Sequence, residues 1–339
     1  MSASFYDMMK YAKTGIASAE MTAFDKLRAQ ASLGMGKPAM DDYAKIAKIV
    51  RSGKAQQYFS IGERILCKYT ATNGTVYDMP YDIVDFRDVS LENGDVVPAM
   101  IIQSHFATLE TIQFDAAETD RPAAEDYNGQ IAQYGWNRWL KSAYRQWLNS
   151  DALKNAWWTA QNDYDAPPSQ LGSVHGFMHG LPSDFLAMLK PVKVETCRNY
   201  RDPDTAKASG TYEYDTTYDT FWLPSREEEY ITANEPNHRE GRAWQYWIDT
   251  LTPEALEKGE SLPQWTYSSA EATHALLSHR RFAIENNGNA VVVRLRSCNR
   301  NNSNNVWNVN TTGNVNNNNA NNSYRCAPDC IIISLKSRS

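Results

Sequence analysis

The stretch whose reading decides this chain runs from Asn299 to Asn322: NRNNSNNVWNVNTTGNVNNNNANN. Fourteen of its twenty-four residues are asparagine, and no other part of the chain has this composition. Such a tract is ordinarily low-complexity and disordered, or aggregation-prone. Here it is framed by VVVRLRS (Val291 to Ser297) and YRCAPDCIIIS (Tyr324 to Ser334), which both read as well-buried strands. It is also patterned. Trp307, Val309, Thr311, Gly313 and Val315 share one parity, and Asn308, Asn310, Asn314 and Asn316 share the other. Period two is the mark of a half-buried strand or hairpin. The spacing therefore predicts paired strands whose even-numbered amides face solvent.

The rest of the 339 residues can support a fold around that tract. Hydrophobic residues make up 42% of the chain, with 10 Trp and 19 Tyr, enough for a sizeable core. A net charge of −6 excludes a basic nucleic-acid footprint. The five cysteines, Cys67, Cys197, Cys298, Cys326 and Cys330, are odd in number and scattered, which argues against a disulfide scaffold and for small buried thiols. The opening MSASFYDMMKYAKTG lacks the basic and apolar regions of a secretory leader, and no window is long enough to span a bilayer. Synthesis in the cytoplasm, without membrane insertion, is the expectation.

Residues 1–55 read as a helical attachment or oligomerisation segment, with Tyr43, Ile46, Ala47 and Val50 on one helical stripe. Residues 56–339 read as the main domain. Strands are expected over Ile61–Thr70, Thr75–Val89 and Val96–Gln103, with Asn73-Gly74 signalling a primed two-residue turn. Trp136, Leu140, Ala143 and Trp147 recur at helical spacing, and such aromatic stripes usually pack inward. A second helix is expected over Leu181–Val194, and a polar surface insertion over 198–220. Ser225 with Glu228 three residues on forms a capping-box pattern that should open a helix, with the Arg226–Glu229 charge run as its solvated face.

Catalytic patterns are sparse. His175 and His179 are four apart, but Gly176 and Gly180 argue against a helix, and no third ligand is near in sequence. His274 and His279 have no carboxylate frame. No nucleophile elbow, phosphate loop, dinucleotide fingerprint or zinc-protease motif is present. The sequons at Asn301, Asn310 and Asn321 follow from Asn density alone. The residues therefore point to a binding surface of amides, each offering donors and an acceptor, and to no catalytic residue, cofactor or metal site.

The block VRLRSCNRNNSNNVWNVNTTGNVNNNNANNSYRCAPDC resembles the variable region of proteins diversified by diversity-generating retroelements. The segments YGWNRWLKSAYRQWLNSD, GFMHG and YDTFWLPSREEEY, with the block from Tyr77 through Asp115, are similar to the scaffold of the same group. The resemblance implies an α+β C-type lectin fold over about 56–339, with the variable region at 298–324. In such systems a reverse transcriptase copies a template with errors at adenines, and Asn codons are the main targets. The implied variable, ligand-binding positions are Asn299, Asn301, Asn302, Asn304, Asn305, Asn308, Asn310, Asn314, Asn316, Asn317, Asn318, Asn319, Asn321 and Asn322. Trp307, Val309, Gly313, Val315 and Tyr324 would be their fixed scaffold. The implied partner is a protein or glycan on a host-cell surface, met by a phage tail protein or a bacterial ligand-binding protein. Asn at nearly every variable position marks this chain as template-like. Two other readings follow: an enzyme of the formylglycine-generating branch of the fold, using Cys326 and Cys330, and a loose Asn-rich tail on a globular domain.

Overall fold

The computed structural model describes residues 36–202, 213–231, 240–250, 279–285 and 288–334. The first helix, α1 (Tyr43–Arg51), begins where Asp42 can cap it, its carboxylate accepting the Lys45 N–H at 3.2 Å. Its stripe buries Tyr43, Ile46, Ala47 and Val50, as the spacing predicts, and Ile49 is buried beside them. These side chains belong to the large core. The described part of the 1–55 segment is thus packed on the main body. Residues 1–35, the rest of the expected attachment segment, lie outside the described residues.

The centre is a five-stranded antiparallel sheet of β1 (Arg64–Ile65), β2 (Tyr81–Ser90), β3 (Val96–Ser104), β4 (Phe221–Trp222) and β8 (Asp329–Ile333), in the order β1-β2-β3-β8-β4. The C-terminal strand pairs with β3 in a continuous register from Asp329↔Gln103 to Ile333↔Ala99. Ile83, Ile101, Ile102, Ile331 and Ile332 are all fully buried, so this sheet is covered on both faces. A second, three-stranded antiparallel sheet comprises β5 (Val293–Cys298), β6 (Asn305–Val309) and β7 (Val315–Asn319), in chain order. The architecture is α+β.

Three hairpins share one turn design. In each, a residue's carbonyl accepts the N–H of the glycine three positions on, and its own N–H reaches the carbonyl one residue beyond. The pairs are Ala71 with Gly74 and Thr75, Leu91 with Gly94 and Asp95, and Asn310 with Gly313 and Asn314. The glycines sit at φ of +84°, +86° and +88°, which is why each is a glycine. Asn73-Gly74 is therefore a three-residue loop with a left-handed glycine, instead of the primed two-residue turn expected.

Several expected helices are shorter or absent. The tryptophan stripe is broken: a 3₁₀ turn covers Trp139–Lys141, Ser142 stays extended, and its hydroxyl caps α2 (Ala143–Leu148). Trp136, Trp139 and Trp147 are nevertheless buried, so the inward assignment holds. Only α3 (Ser183–Met188) forms within Leu181–Val194, because the residues from Val192 pair as a strand over Val192–Cys197 with Tyr214–Asp219. That pairing also takes up the end of the expected 198–220 insertion, whose residues 203–212 lie outside the described set.

Ser225 and Glu228 do exchange the two bonds of a capping box, at 2.9 and 3.0 Å. The turn stops at once. Tyr230 turns left-handed at φ +55°, and Ile231 and Tyr230 close back on the carbonyls of Arg226 and Glu227. The Arg226–Glu229 run is not a solvated face: Arg226, Glu228 and Glu229 are buried. Arg296 pairs with Glu228, and His279 with Glu229. A buried charge survives only when paired and hydrogen-bonded, and these are.

Candidate binding surface

The Asn tract is not a loose tail. β6 and β7 pair without a break from Asn305↔Asn319 to Val309↔Val315. Of the odd positions, Trp307, Val309 and Val315 form the covered side, while Thr311 in the turn is exposed. Trp307, Val309 and Val315 cluster with Val293, Leu295, Ala107 and Ile231, and Arg226 lies over the Trp307 ring at 4.1 Å. Gly313 makes the left-handed turn between the strands.

The even positions divide. Asn314 and Asn316 are exposed, as is the odd-numbered Asn301, and most of the other variable candidates are half-buried. Asn308 and Asn304 contradict the solvent-facing expectation, at 1% and 5% exposure. Asn308 lies on the central strand, flanked by Arg294 and Asn316 in register. Its face is closed because Arg294 fills it. Asn304 turns inward and donates to Asn305 Oδ1 at 3.0 Å and Asn319 Oδ1 at 2.8 Å.

What holds the tract is unlike an ordinary core. Arg294 is fully buried, and its guanidinium donates to four main-chain carbonyls: Val306 at 3.0 Å, Asn318 at 3.2 Å, Asn319 at 3.0 Å and Asn322 at 3.0 Å. It also stacks over the Tyr324 ring at 4.6 Å. Burial lowers its pKa to about 10, so it stays cationic at neutral pH and its bonds remain charge-assisted.

A second grip holds the preceding loop. Asn137, fully buried, directs its Nδ2 to the carbonyls of Asn299 at 3.2 Å, Asn302 at 2.9 Å and Asn305 at 2.9 Å. Its own carbonyl oxygen accepts from Asn199 at 2.7 Å, and Asn199 also donates to Asp202. Asp202 in turn accepts the Trp136 indole N–H at 2.7 Å. Further main-chain bonds finish the attachment, from Asn137 to Ser303 and from Asn321 to Tyr134.

Many of the Asn side chains also make hydrogen bonds, most of them within the tract itself. Asn299, Asn302 and Asn310 accept nearby backbone N–H groups and shape local turns. Asn305 and Asn317 bond across the strands at 2.8 Å. Beside the loop, Tyr200 donates to Asn301, and Arg201 packs between Tyr127 at 4.3 Å and Tyr200 at 4.7 Å. This aromatic rim was missed in the sequence reading, because Tyr127 and Tyr200 lie far from the tract along the chain. Arg294 and Asn137 were missed as well. VVVRLRS reads as a buried strand, but nothing in its alternation says that Arg294 turns its guanidinium onto the carbonyls of the tract.

The expected chemical candidates are engaged elsewhere. Burial raises the Cys326 thiol to about 12 and Cys330 well above its usual value, so neither is a thiolate near neutral pH. The His175 ring nitrogens lie 2.9 and 3.1 Å from the carbonyls of Gly176 and Thr70, and His179 faces the Asp151 carbonyl. His279 stacks on Trp247. His274 lies outside the described residues.

The DUF6273 profile, describing a domain of unknown function, matches residues 99–334. The chain belongs to the DUF6273 family. The DUF6273 region starts in β3 and ends just after β8, so it contains the Asn tract, both grips and the aromatic rim. No curated protein and no solved structure matches the chain.

Proposed function

We propose that this DUF6273 protein is a non-enzymatic display protein on a C-type lectin-like scaffold. Its Asn-rich surface would be diversified by adenine-directed mutagenesis to bind a protein or glycan on a host-cell surface. The observation that carries this reading is the mode of attachment. Arg294 and Asn137 engage main-chain carbonyls of the tract, and those oxygens are present whatever side chains the tract bears. The buried odd-parity residues Trp307, Val309 and Val315 supply the remaining support. Amides, tyrosines and an arginine on one rim suit adaptable polar recognition. The setting we favour is a phage or prophage tail, with a bacterial ligand-binding protein as the alternative. Among the described residues no helix is long and apolar enough to cross a membrane.

The test is a library randomised at the Asn positions other than Asn304 and Asn308. Each variant would be followed by thermal unfolding, and the pool panned on bacterial surfaces. The expected outcome is that most variants unfold within a few degrees of the parent and that panning enriches particular sequences. A library that mostly aggregates would mean the asparagines are structural, and the display reading would be abandoned.

A further inference from the structure

Asp115, Glu118 and Asp165 converge below the Asn tract, each placing a carboxylate oxygen within 4.8 Å of the other two. Asp115 and Glu118 are 1% and 0% exposed. Three like charges this close in an enclosed site repel strongly unless something neutralises them. Arg121 bonds to Glu118, and Asn162 donates to the other Glu118 oxygen at 3.0 Å. Arg121 therefore offsets one carboxylate. Asp115 Oδ2 accepts the Trp136 N–H at 3.2 Å, and Asp165 Oδ2 accepts the Gln161 N–H at 2.7 Å. The remaining oxygen of each, Asp115 Oδ1 and Asp165 Oδ1, is enclosed and has no hydrogen-bond partner. Buried polar atoms are nearly always satisfied, and one ion placed among these three carboxylates would satisfy both orphaned oxygens at once.

We propose that Asp115, Glu118 and Asp165 bind a hard divalent cation, with calcium the best fit. The donors are all oxygen, and calcium accepts carboxylates in one- or two-oxygen modes without demanding ideal octahedral geometry. The site is placed to influence the surface above it. The Asp115 N–H donates to the Ala320 carbonyl within the tract at 3.1 Å. Asp115 also holds Trp136, the neighbour of the loop-gripping Asn137. A bound cation would fix Asp115 between the two grips. This assignment rests on the cluster itself and stands whether or not the display reading does.

The full chain, stripped with EDTA at pH 7.5, would be titrated with CaCl2 and, separately, with TbCl3. Trp136 and Tyr164 flank Arg121, at 4.6 and 5.6 Å from its guanidinium, and can sensitise terbium emission. The expected result is a rise in unfolding midpoint of about 5 °C at a CaCl2 concentration near 100 times Kd, with terbium emission that calcium displaces. Asp165→Asn should abolish both signals, while Asp120→Asn, on the exposed residue nearby, should keep them. No midpoint shift and no calcium-displaceable emission in the unaltered chain would overturn the proposal, leaving a shared proton as the occupant. Signals retained in Asp165→Asn would overturn it too, by placing the ion elsewhere.

Discussion

The two sheets are held by opposite means. In the five-stranded sheet, Ile83, Ile101, Ile102, Ile331 and Ile332 interlock, and each position is specified by the shape and apolarity of its own side chain. In the three-stranded sheet only a small cluster around Trp307 works that way. Much of the rest of its security comes from Arg294 and Asn137, which reach in from outside the Asn positions and hold carbonyl oxygens. Side-chain packing makes a structure intolerant of sequence change. A hold on the main chain does not depend on which side chains the segment carries. The difference explains how one molecule can contain a segment with fourteen copies of one residue beside a conventional core.

The contrast can be broken most severely at Arg294. Arg294→Leu strips four buried carbonyls of their donor and should destabilise the protein by about 4 kcal/mol or more, read as a loss of denaturation midpoint. Trp307→Ala should cost about 3–5 kcal/mol, because it empties the small cluster. Asn137→Ala should cost about 2 kcal/mol and expose the 299–305 loop to limited proteolysis ahead of the rest of the chain. The finest test sets two Asn residues side by side in register. Asn308→Tyr, enclosed beside Arg294, should cost about 1–3 kcal/mol by overpacking. Its exposed neighbour Asn316→Tyr should stay within about 0.5 kcal/mol. Equal effects at these two positions would dissolve the distinction between gripped backbone and free side chain.

Local chemistry made part of this legible in the sequence. Asp42 and the Tyr43–Val50 stripe foretell α1, since a cap and a helical period are both short-range signals. The parity of Trp307, Val309 and Val315 foretells the covered side of the hairpin. Longer-range effects were not legible. Helical spacing from Trp136 to Trp147 looked continuous, yet Trp136 is drawn away to Asp202 and Ser142 restarts the helix. The capping box at Ser225 formed as written but launched no helix, because Glu228 and Glu229 are claimed by Arg296 and His279 from distant segments. The same limit hid Asn308: alternation says which residues share a face, but only the fold says whether that face meets water.

The geometry of Arg294 also bears on mechanical load. A pull on β7 or on the turn after it would reach Asn318, Asn319 and Asn322, whose carbonyls all end on one planar guanidinium. Those three bonds are loaded side by side, so they must be strained together and cannot open one after another like a zipper. The force then passes to β5 and, through Val306, to the strand between. A tether of this kind resists tearing from the outermost strand inward.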